Sequence, residues 1–278
     1  MSSSFPLSFT FEKWLTSIRL TRPLLNRVNR ARIRVHRARQ NLRKKSHPAN
    51  LKNFEARIYS QNGEDGILAE IFRRIGEGDK HFVEFGVQDG TECCTRNLLE
   101  HRGWAGTWID GSSAHMESAG RRFSDRPLQV ASRFLNAENI LAVFGELSVP
   151  QAPDLLVIDV DGNDYWFMQK ILSRYSPRVL VIEYNASFKP GYRWIMPYSP
   201  EHRWDGTRVY SASLTALTEQ ANRFGYRLVA CDSSGVNAFF VKQSSLTPEF
   251  SDVSFGDAYH YAPPIFRMEW FGHPMGKI

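Results

Sequence analysis

Cysteine is scarce in this chain of 278 residues, and its three cysteines form no recognisable framework. Cys93 and Cys94 are adjacent, Cys231 stands alone, and no Cys-x-x-Cys pair occurs. This pattern argues against a disulfide scaffold and a zinc site, and it is typical of a reducing compartment. No apolar run approaches the roughly 18 residues that a membrane-spanning helix needs, and the first residues lack the apolar stretch of a secretory signal. We therefore expect a cytoplasmic protein.

Acidic residues are nearly absent from residues 1–50, where twelve Lys and Arg side chains accompany only Glu12, a net charge of +11. The rest of the chain carries −5, so a basic N-terminal tail precedes a mildly acidic body. One helical face of the tail would carry Phe11, Trp14, Leu15 and Ile18. Residues 1–45 therefore suit an anionic membrane surface, although a solvated basic helix or a targeting peptide has the same pattern. The acidic body gives no reason to expect nucleic-acid binding.

Beyond residue 60, short apolar strands alternate with segments of helical periodicity, which predicts a doubly wound, mostly parallel α/β sheet. The seven predicted strands are HFVEFG, WAGTWIDG, LQVASRF, DLLVIDVDG, PRVLVIEYN, YRLVACD and VNAFFVK. Only SSG separates the final two, and so short a connection predicts a hairpin with an antiparallel last strand. The predicted domain spans residues 51–245, and an aromatic, Pro-rich extension covers 246–278.

The stretch HFVEFGVQDGTE, residues 81–92, places Gly86 and Gly90 directly after the first strand. Glycines at such a turn let the backbone bend tightly and let another group approach closely, although they can also serve packing alone. A dinucleotide-binding turn has Gly-x-Gly-x-x-Gly, whereas here the middle glycine is missing and Asp89 would repel a pyrophosphate. A nicotinamide cofactor is therefore disfavoured. The next predicted helix, TECCTRNLLEHRG, has both adjacent cysteines near its start.

With VEFGVQDG, PDLLVIDVDG and the closing hairpin, the chain resembles the class I S-adenosylmethionine-dependent methyltransferases over roughly residues 60–243. Within that superfamily, the strand ending in IDVDG is similar to that of the FkbM-like group. The glycine spacing departs from the family's Gly-x-Gly form, and Asp161 adds a second acid after Asp159.

The resemblance implies a Rossmann-like methyltransferase fold that binds S-adenosyl-L-methionine after the first strand. The residues that it assigns to the cofactor there are Glu84, Gly86, Asp89 and Gly90. It also implies that Asp110, which ends the second strand, accepts the ribose hydroxyls of the cofactor. The segment before the first strand would lie over the cofactor, with contacts from Ser60, Gln61 and Glu64.

Acidic residues also follow the fourth and fifth strands. Asp159 and Asp161 lie two apart in an extended segment, so both point to one face, and Glu183 ends the neighbouring strand. Carboxylates this close repel, so one becomes protonated or a cation binds, and oxygen-only ligands suit Mg²⁺. Asp164 as a helix cap and Glu183 paired with an arginine would explain the pattern without a metal.

The fifth strand leads into a long loop whose Tyr and Trp side chains suit stacking on sugar rings, or local packing. In a methyltransferase, Asp159 would be the general base, or alternatively His202 of this loop. With the resemblance, these features predict an O-methyltransferase acting on a hydroxyl of a sugar, glycan or glycolipid. Two alternatives remain. One is a metal-dependent nucleotide-sugar glycosyltransferase with an Asp-x-Asp site, and the other is a non-catalytic methyltransferase-like binding module.

Overall fold

The computed structural model describes residues 49–250, 253 and 255–260. Its strands are β1 (His81–Phe85), β2 (Ala105–Asp110), β3 (Leu128–Ser132), β4 (Leu155–Ile158), β5 (Val179–Glu183), β6 (Tyr226–Cys231) and β7 (Asn237–Lys242). Its α-helices are α1 (Glu64–Ile75), α2 (Arg96–His101), α3 (Ser113–Arg122), α4 (Ile140–Glu146), α5 (Asp164–Leu172), α6 (Leu214–Arg223) and α7 (Phe255–Ala258). Short 3-10 helices cover Leu51–Phe54, Gln243–Ser245 and Pro248–Phe250. The proposed tail, residues 1–50, lies almost entirely outside the described residues.

The strands form a seven-stranded sheet in the order β3-β2-β1-β4-β5-β7-β6. The pairs among β3, β2, β1, β4 and β5 are parallel, whereas β7 runs antiparallel to both β5 and β6. The antiparallel last strand predicted from the three-residue connection is therefore confirmed. It is inserted between β5 and β6 rather than added at the edge of the sheet.

Helices cover both faces of the sheet. Glu84 and Phe85 are neighbours in β1, so their side chains point to opposite faces. Glu84 bonds the segment that leads into α2, whereas Phe85 contacts Phe144 of α4 and Phe167 of α5. All residues of β4 and β5 are buried, as expected for strands covered on both sides.

The strand order reverses between β1 and β4: β2 and β3 follow on one side of β1, and β4 and β5 follow on the other. In open α/β sheets, ligands bind outside the carboxyl ends of the strands at this switch point. The architecture therefore directs attention to the residues that follow β1, β2, β4 and β5.

The described part of the C-terminal extension packs against the domain. Phe250 and Val253 are buried, and the hydroxyl of Tyr184, next to β5, donates to the carbonyl of His260 over 2.9 Å. In the part of the chain that the structure describes, no helix combines the length and apolar character needed to cross a membrane.

Candidate active site

A cavity of about 360 Å³ opens at the carboxyl ends of β1, β4 and β5. Its lining comes from the segment before α1, the turn after β1, the ends of β4 and β5, the start of β7 and the loop after β5. Lining residues include Asn62, Glu64, Glu84, Gly86, Gln88, Asp159, Asp161, Glu183, Arg208, Tyr210 and Asn237. Ser60 and Gln61, which the resemblance placed over the cofactor, also belong to the lining.

The two glycines after β1 are required by the protein's own packing. Gly86 has a φ of +81°, and a Cβ there would lie 1.6 Å from the carbonyl oxygen of Asp159. Gly90 has a φ of +71°, and its Cβ would lie 2.2 Å from the ring of Trp108. Gly86 also lines the cavity. Gly86 therefore permits a close approach of the turn after β1 to the end of β4, and Gly90 permits a close approach to Trp108 of β2.

Asp110 is fixed at this turn. One carboxylate oxygen accepts the backbone N–H of Gln88 over 2.9 Å, and the other accepts the N–H of Ser112 over 2.8 Å. His115 lies 3.7 Å away. Asp110 itself is not among the described lining residues, but Gln88, which it holds, is. Each oxygen has a second lone pair, so the carboxylate can still accept a hydroxyl.

Glu84 has a structural task besides lining the cavity. Its two oxygens accept the backbone N–H groups of Cys94 and Thr95, over 2.9 and 3.0 Å, together with the Thr95 hydroxyl. Burial raises the pKa of Glu84. Because these bonds hold the chain in a turn, α2 begins only at Arg96, later than the periodicity predicted. Cys93 and Cys94 precede the helix, and burial raises the pKa of both thiols, so they remain protonated core residues.

The structure places Asp89 away from the cavity lining. Its carboxylate pairs with Arg122 of α3 over 3.3 Å and accepts the N–H of Thr91 over 2.9 Å. The hydrogen bonds from Thr91 lower the pKa of Asp89. This carboxylate is therefore engaged with Arg122 and Thr91. Of the other residues assigned to the cofactor in VEFGVQDG, Glu84 and Gly86 line the cavity, whereas Gly90 packs against Trp108 and is not among the described lining residues.

Three of the predicted acids do converge. Carboxylate oxygens of Asp159, Asp161 and Glu183 lie within 4.8 Å of one another in the cavity lining. Desolvation raises the pKa of Asp159 well above its ordinary value, and the charges of Asp161 and Asp164 add to the effect. The extended segment predicted through Asp161 is wrong: β4 ends at Ile158, and Asp161 has a left-handed backbone with φ of +53°. Aspartate tolerates this conformation better than most residues.

Asp164 has a different role from the other acids. Its carboxylate accepts the N–H groups of Val160 and Gly162 over 3.1 and 2.9 Å, which fixes the segment between β4 and α5. Burial raises the pKa of Asp164 to about 7. The helix cap predicted at Asp164 is wrong, because Asn163 is the N-cap of α5 and Asp164 is its first residue, whose carboxylate fixes the preceding turn instead. Asp159 and Asp161 line the cavity.

His202 contacts the backbone of Asp161 and Gly162, after the end of β4. Its Nε2 lies 3.2 Å from the carbonyl oxygen of Asp161, and its ring packs on Gly162, where a Cβ would come within 2.1 Å of it. His202 is not among the described lining residues. The histidine therefore ties the long loop to the end of β4, and Asp159 is the better placed candidate base.

The loop aromatics divide into separate groups. Trp204 lines the cavity and donates its Nε1–H to the carbonyl of Thr207. Tyr198 packs against Trp166 of α5, and Tyr192 and Trp194 both stack on Phe188. Trp204 thus lines the candidate site, whereas Tyr192, Trp194 and Tyr198 form local packing. The sequence had left both roles open for these aromatic side chains.

A single buried carboxylate fastens the segment over the cavity. One oxygen of Asp65, in the first turn of α1, accepts the N–H groups of Ile58, Tyr59 and Ser60 over 2.8 to 2.9 Å, and the Ser60 hydroxyl over 2.9 Å. Ser60, Gln61 and Asn62 are thereby positioned along the cavity.

No protein-family model matches the chain, and no curated protein matches it in sequence. Solved structures resemble it distantly. The CurJ carbon methyltransferase is 12% identical with a TM-score of 0.44, over 67% of this chain and 56% of that chain. The N-terminal domain of EvdMO1 with SAH bound is 14% identical with a TM-score of 0.42, over 66% and 81%. SAM-bound CalS10, an amino pentose methyltransferase from Micromonospora echinaspora, is 10% identical with a TM-score of 0.43, over 67% and 93%.

The seven-stranded order with its antiparallel β7 confirms the predicted fold class, a Rossmann-like methyltransferase fold. The chain spans little more than half of the first of these structures. Likeness at this distance does not identify a reaction or the FkbM-like group, since one fold serves many functions. The activity has to be inferred from the site.

Sequence reasoning missed several lining residues. Asn62 precedes α1, Asn237 begins β7, and Ser187, Arg208 and Tyr210 come from the long loop. Asn237 could have been found, because a polar residue at the start of an antiparallel strand lies at the carboxyl edge of its parallel neighbours. The loop residues carried no such signal.

Proposed function

We propose that this protein is an S-adenosylmethionine-dependent O-methyltransferase that acts on a hydroxyl of a sugar, glycan or glycolipid. The observation that carries the proposal is the acid-lined cavity at the switch point of the sheet, with Asp110 anchored at the glycine turn beside it. The ribose of the cofactor would bind at Asp110, and its sulfonium would face the acids after β4. The sugar acceptor comes from the sequence resemblance.

The charge of the lining supports a cationic cofactor. Six acids line the cavity, namely Glu64, Glu84, Glu92, Asp159, Asp161 and Glu183. Arg208 is the only lysine or arginine among the described lining residues. A sulfonium and an ammonium group complement such a lining, whereas a nucleotide diphosphate is repelled unless a metal bridges it. The glycosyltransferase alternative therefore requires a metal ion at these acids, whereas binding of S-adenosylmethionine does not.

Methyl transfer needs the acceptor oxygen in line with the sulfonium, so positioning supplies much of the rate. A hydroxyl acceptor must also lose its proton. Asp159 would accept it, because a carboxylate whose pKa is raised by desolvation is a stronger base than an ordinary one. His202, the second predicted base, would act from the loop by holding the Asp161 backbone.

The acids also fit a divalent cation. Asp159, Asp161 and Glu183 would supply the oxygen ligands that Mg²⁺ prefers. Such an ion would lower the pKa of a bound hydroxyl. Chelation by EDTA, followed by readdition of Mg²⁺, distinguishes a metal-assisted mechanism from one in which Asp159 alone accepts the hydroxyl proton. Activity that EDTA leaves unchanged would support Asp159 alone.

Calorimetry with S-adenosylmethionine and S-adenosylhomocysteine tests the proposal. A carboxylate bond to a ribose hydroxyl is worth about 1.5–3 kcal/mol, so Asp110→Asn should weaken binding about 10- to 100-fold. Asp125→Ala, at an exposed position beyond α3, is the matched control and should bind like the wild type. Negligible heat with the wild-type protein would refute the proposal. Binding without turnover would favour the non-catalytic module.

Contact of residues 1–45 with anionic membranes and a cytoplasmic location remain further proposals. Sedimentation with phosphatidylserine vesicles, with and without residues 1–45, tests the first: binding that the truncation leaves intact would contradict it.

A further inference from the structure

Two buried asparagines meet at one carboxylate beside the cavity. Asn62 lies just before α1, and Asn237 begins β7. Both donate a side-chain N–H to the same oxygen of Glu64, over 3.2 and 3.0 Å, and the other Glu64 oxygen accepts the backbone N–H of Asn62 over 2.7 Å. Glu64 therefore joins the segment over the cavity to the sheet.

These bonds fix which way each amide points. A carboxylate only accepts hydrogen bonds, so both side-chain nitrogens must face Glu64, and both Oδ1 atoms must face elsewhere. Among the described residues, no group donates to either oxygen, and the two side chains belong to residues only 5% and 2% exposed. Both residues line the cavity. Buried acceptors are nearly always paired. The two unpaired oxygens therefore indicate a ligand that carries hydrogen-bond donors.

We propose that the Oδ1 atoms of Asn62 and Asn237 form a subsite for two hydroxyl groups of the methyl acceptor, and that Glu64 is the positioning residue that orients them. This inference rests on the proposed function and narrows it, because it requires an acceptor with hydroxyls beyond the one that is methylated. A monohydroxyl acceptor would leave at least one oxygen unpaired.

The position of the pair in the sheet favours the acceptor over the cofactor. Asn237 pairs with Glu183 across β5 and β7, so both side chains lie on the same face beside the acidic cluster. Three strand steps, about 14 Å, separate β7 from β1, and the ribose site at Asp110 is one strand further away. The amino end of the cofactor lies only four bonds from its sulfur, about 5 Å. An anchored cofactor therefore ends nearer β1 and β4.

The test uses the near-isosteric variants Asn62→Leu and Asn237→Leu in the full chain. Gln220→Met is the control, because Gln220 is an equally buried amide, bonded to the Tyr165 carbonyl, that does not line the cavity. The probe acceptors are the methyl glycosides of glucose, galactose, mannose and rhamnose, with S-adenosylhomocysteine release as the readout. SAH affinity is measured separately by calorimetry, and circular dichroism checks folding.

We expect each leucine variant to lower kcat/KM for the preferred glycoside about 10-fold, and the double variant about 100-fold, with unchanged SAH affinity. Glu64→Gln should also lower kcat/KM, because the new amide can donate to the asparagine oxygens and release their orientation. This variant keeps both asparagines, so it tests the subsite even if a leucine variant fails to fold.

The outcomes separate the two proposals. Absence of SAH binding by the wild type refutes the proposed function. SAH binding with no transfer to any glycoside favours the non-catalytic module and overturns the subsite with it. Unchanged kcat/KM in folded variants overturns the subsite alone. Weakened SAH binding in the leucine variants also overturns it, since the pair would then hold the amino end of the cofactor.

Discussion

Gly86→Ala tests whether β1 can approach the end of β4 only without a side chain. Gly86 has a φ of +81°, and its Cβ would lie 1.6 Å from the Asp159 carbonyl oxygen. A left-handed backbone costs an L-residue about 1–2 kcal/mol before any contact. Because the atom it would strike belongs to the backbone, no rotamer change relieves the overlap, and the turn or the end of β4 must shift. We expect a total loss of about 3–5 kcal/mol, which is exceptional for one substitution.

Gly191→Ala is the matched control. Gly191 has the same φ of +81°, but a Cβ there would meet nothing within 4 Å. Its cost should therefore be the backbone cost alone, about 1–2 kcal/mol. The difference between the two variants, roughly 2–3 kcal/mol, isolates the collision with Asp159.

Urea unfolding, followed by tryptophan fluorescence and circular dichroism, measures both variants. With an m-value of about 3 kcal/mol/M for a domain of this size, Gly86→Ala should lower the urea midpoint by about 1–1.7 M and Gly191→Ala by about 0.3–0.7 M. Equal shifts in the two variants would refute the reasoning, because the close approach to β4 would then have no energetic consequence.

Three further predictions concern the base and the stability of the domain. Asp159→Asn should lower kcat about 100- to 10,000-fold with SAH affinity retained, and His202→Ala should lower it less; the reverse order would make His202 the base. Arg74→Met should destabilise the domain by about 3 kcal/mol, because it leaves the buried Glu70 with only the more exposed Arg73, whereas Arg121→Met on exposed α3 should be neutral in urea unfolding. Burial, with the nearby charges of Glu64 and Glu55, raises the pKa of Asp232 to about 8 from 3.8. The folded state then holds a proton that the unfolded state releases, so stability should fall as pH rises from about 4 to about 8. Asp232→Asn should flatten this slope in thermal melts across that range, and a melting temperature that rises with pH equally in both proteins would contradict the assignment.

The sequence predicted the strands well because buried parallel strands are continuous apolar runs. LLVI of β4 and VLVIE of β5 are wholly buried, and the three-residue connection before β7 allowed only a hairpin. The position of β7 between β5 and β6 could not be predicted from the sequence. A short connection predicts that β6 and β7 pair, but not which of the two strands also pairs with β5.

The site was predicted where function depends on strand ends and missed where it depends on long-range contacts. Asp159, Asp161 and Glu183 converge because their strands are neighbours. Asn62 and Asn237 are 175 positions apart, and nothing in their local patterns reveals that Glu64 joins them. The sequence resemblance assigned Glu84 to the cofactor. Only the fold shows that its carboxylate also accepts the backbone N–H groups of Cys94 and Thr95 and so holds the turn before α2.

The four hydrogen bonds that Asp65 accepts from Ile58, Tyr59 and Ser60 have a thermodynamic consequence. Because Asp65 of α1 holds the segment that leads to Ser60, Gln61 and Asn62 of the cavity lining, a ligand has little backbone to order when it binds. The free energy of binding is then not reduced by the entropic cost of ordering this segment. The cavity is in this sense preorganised by one side chain that is not among its described lining residues.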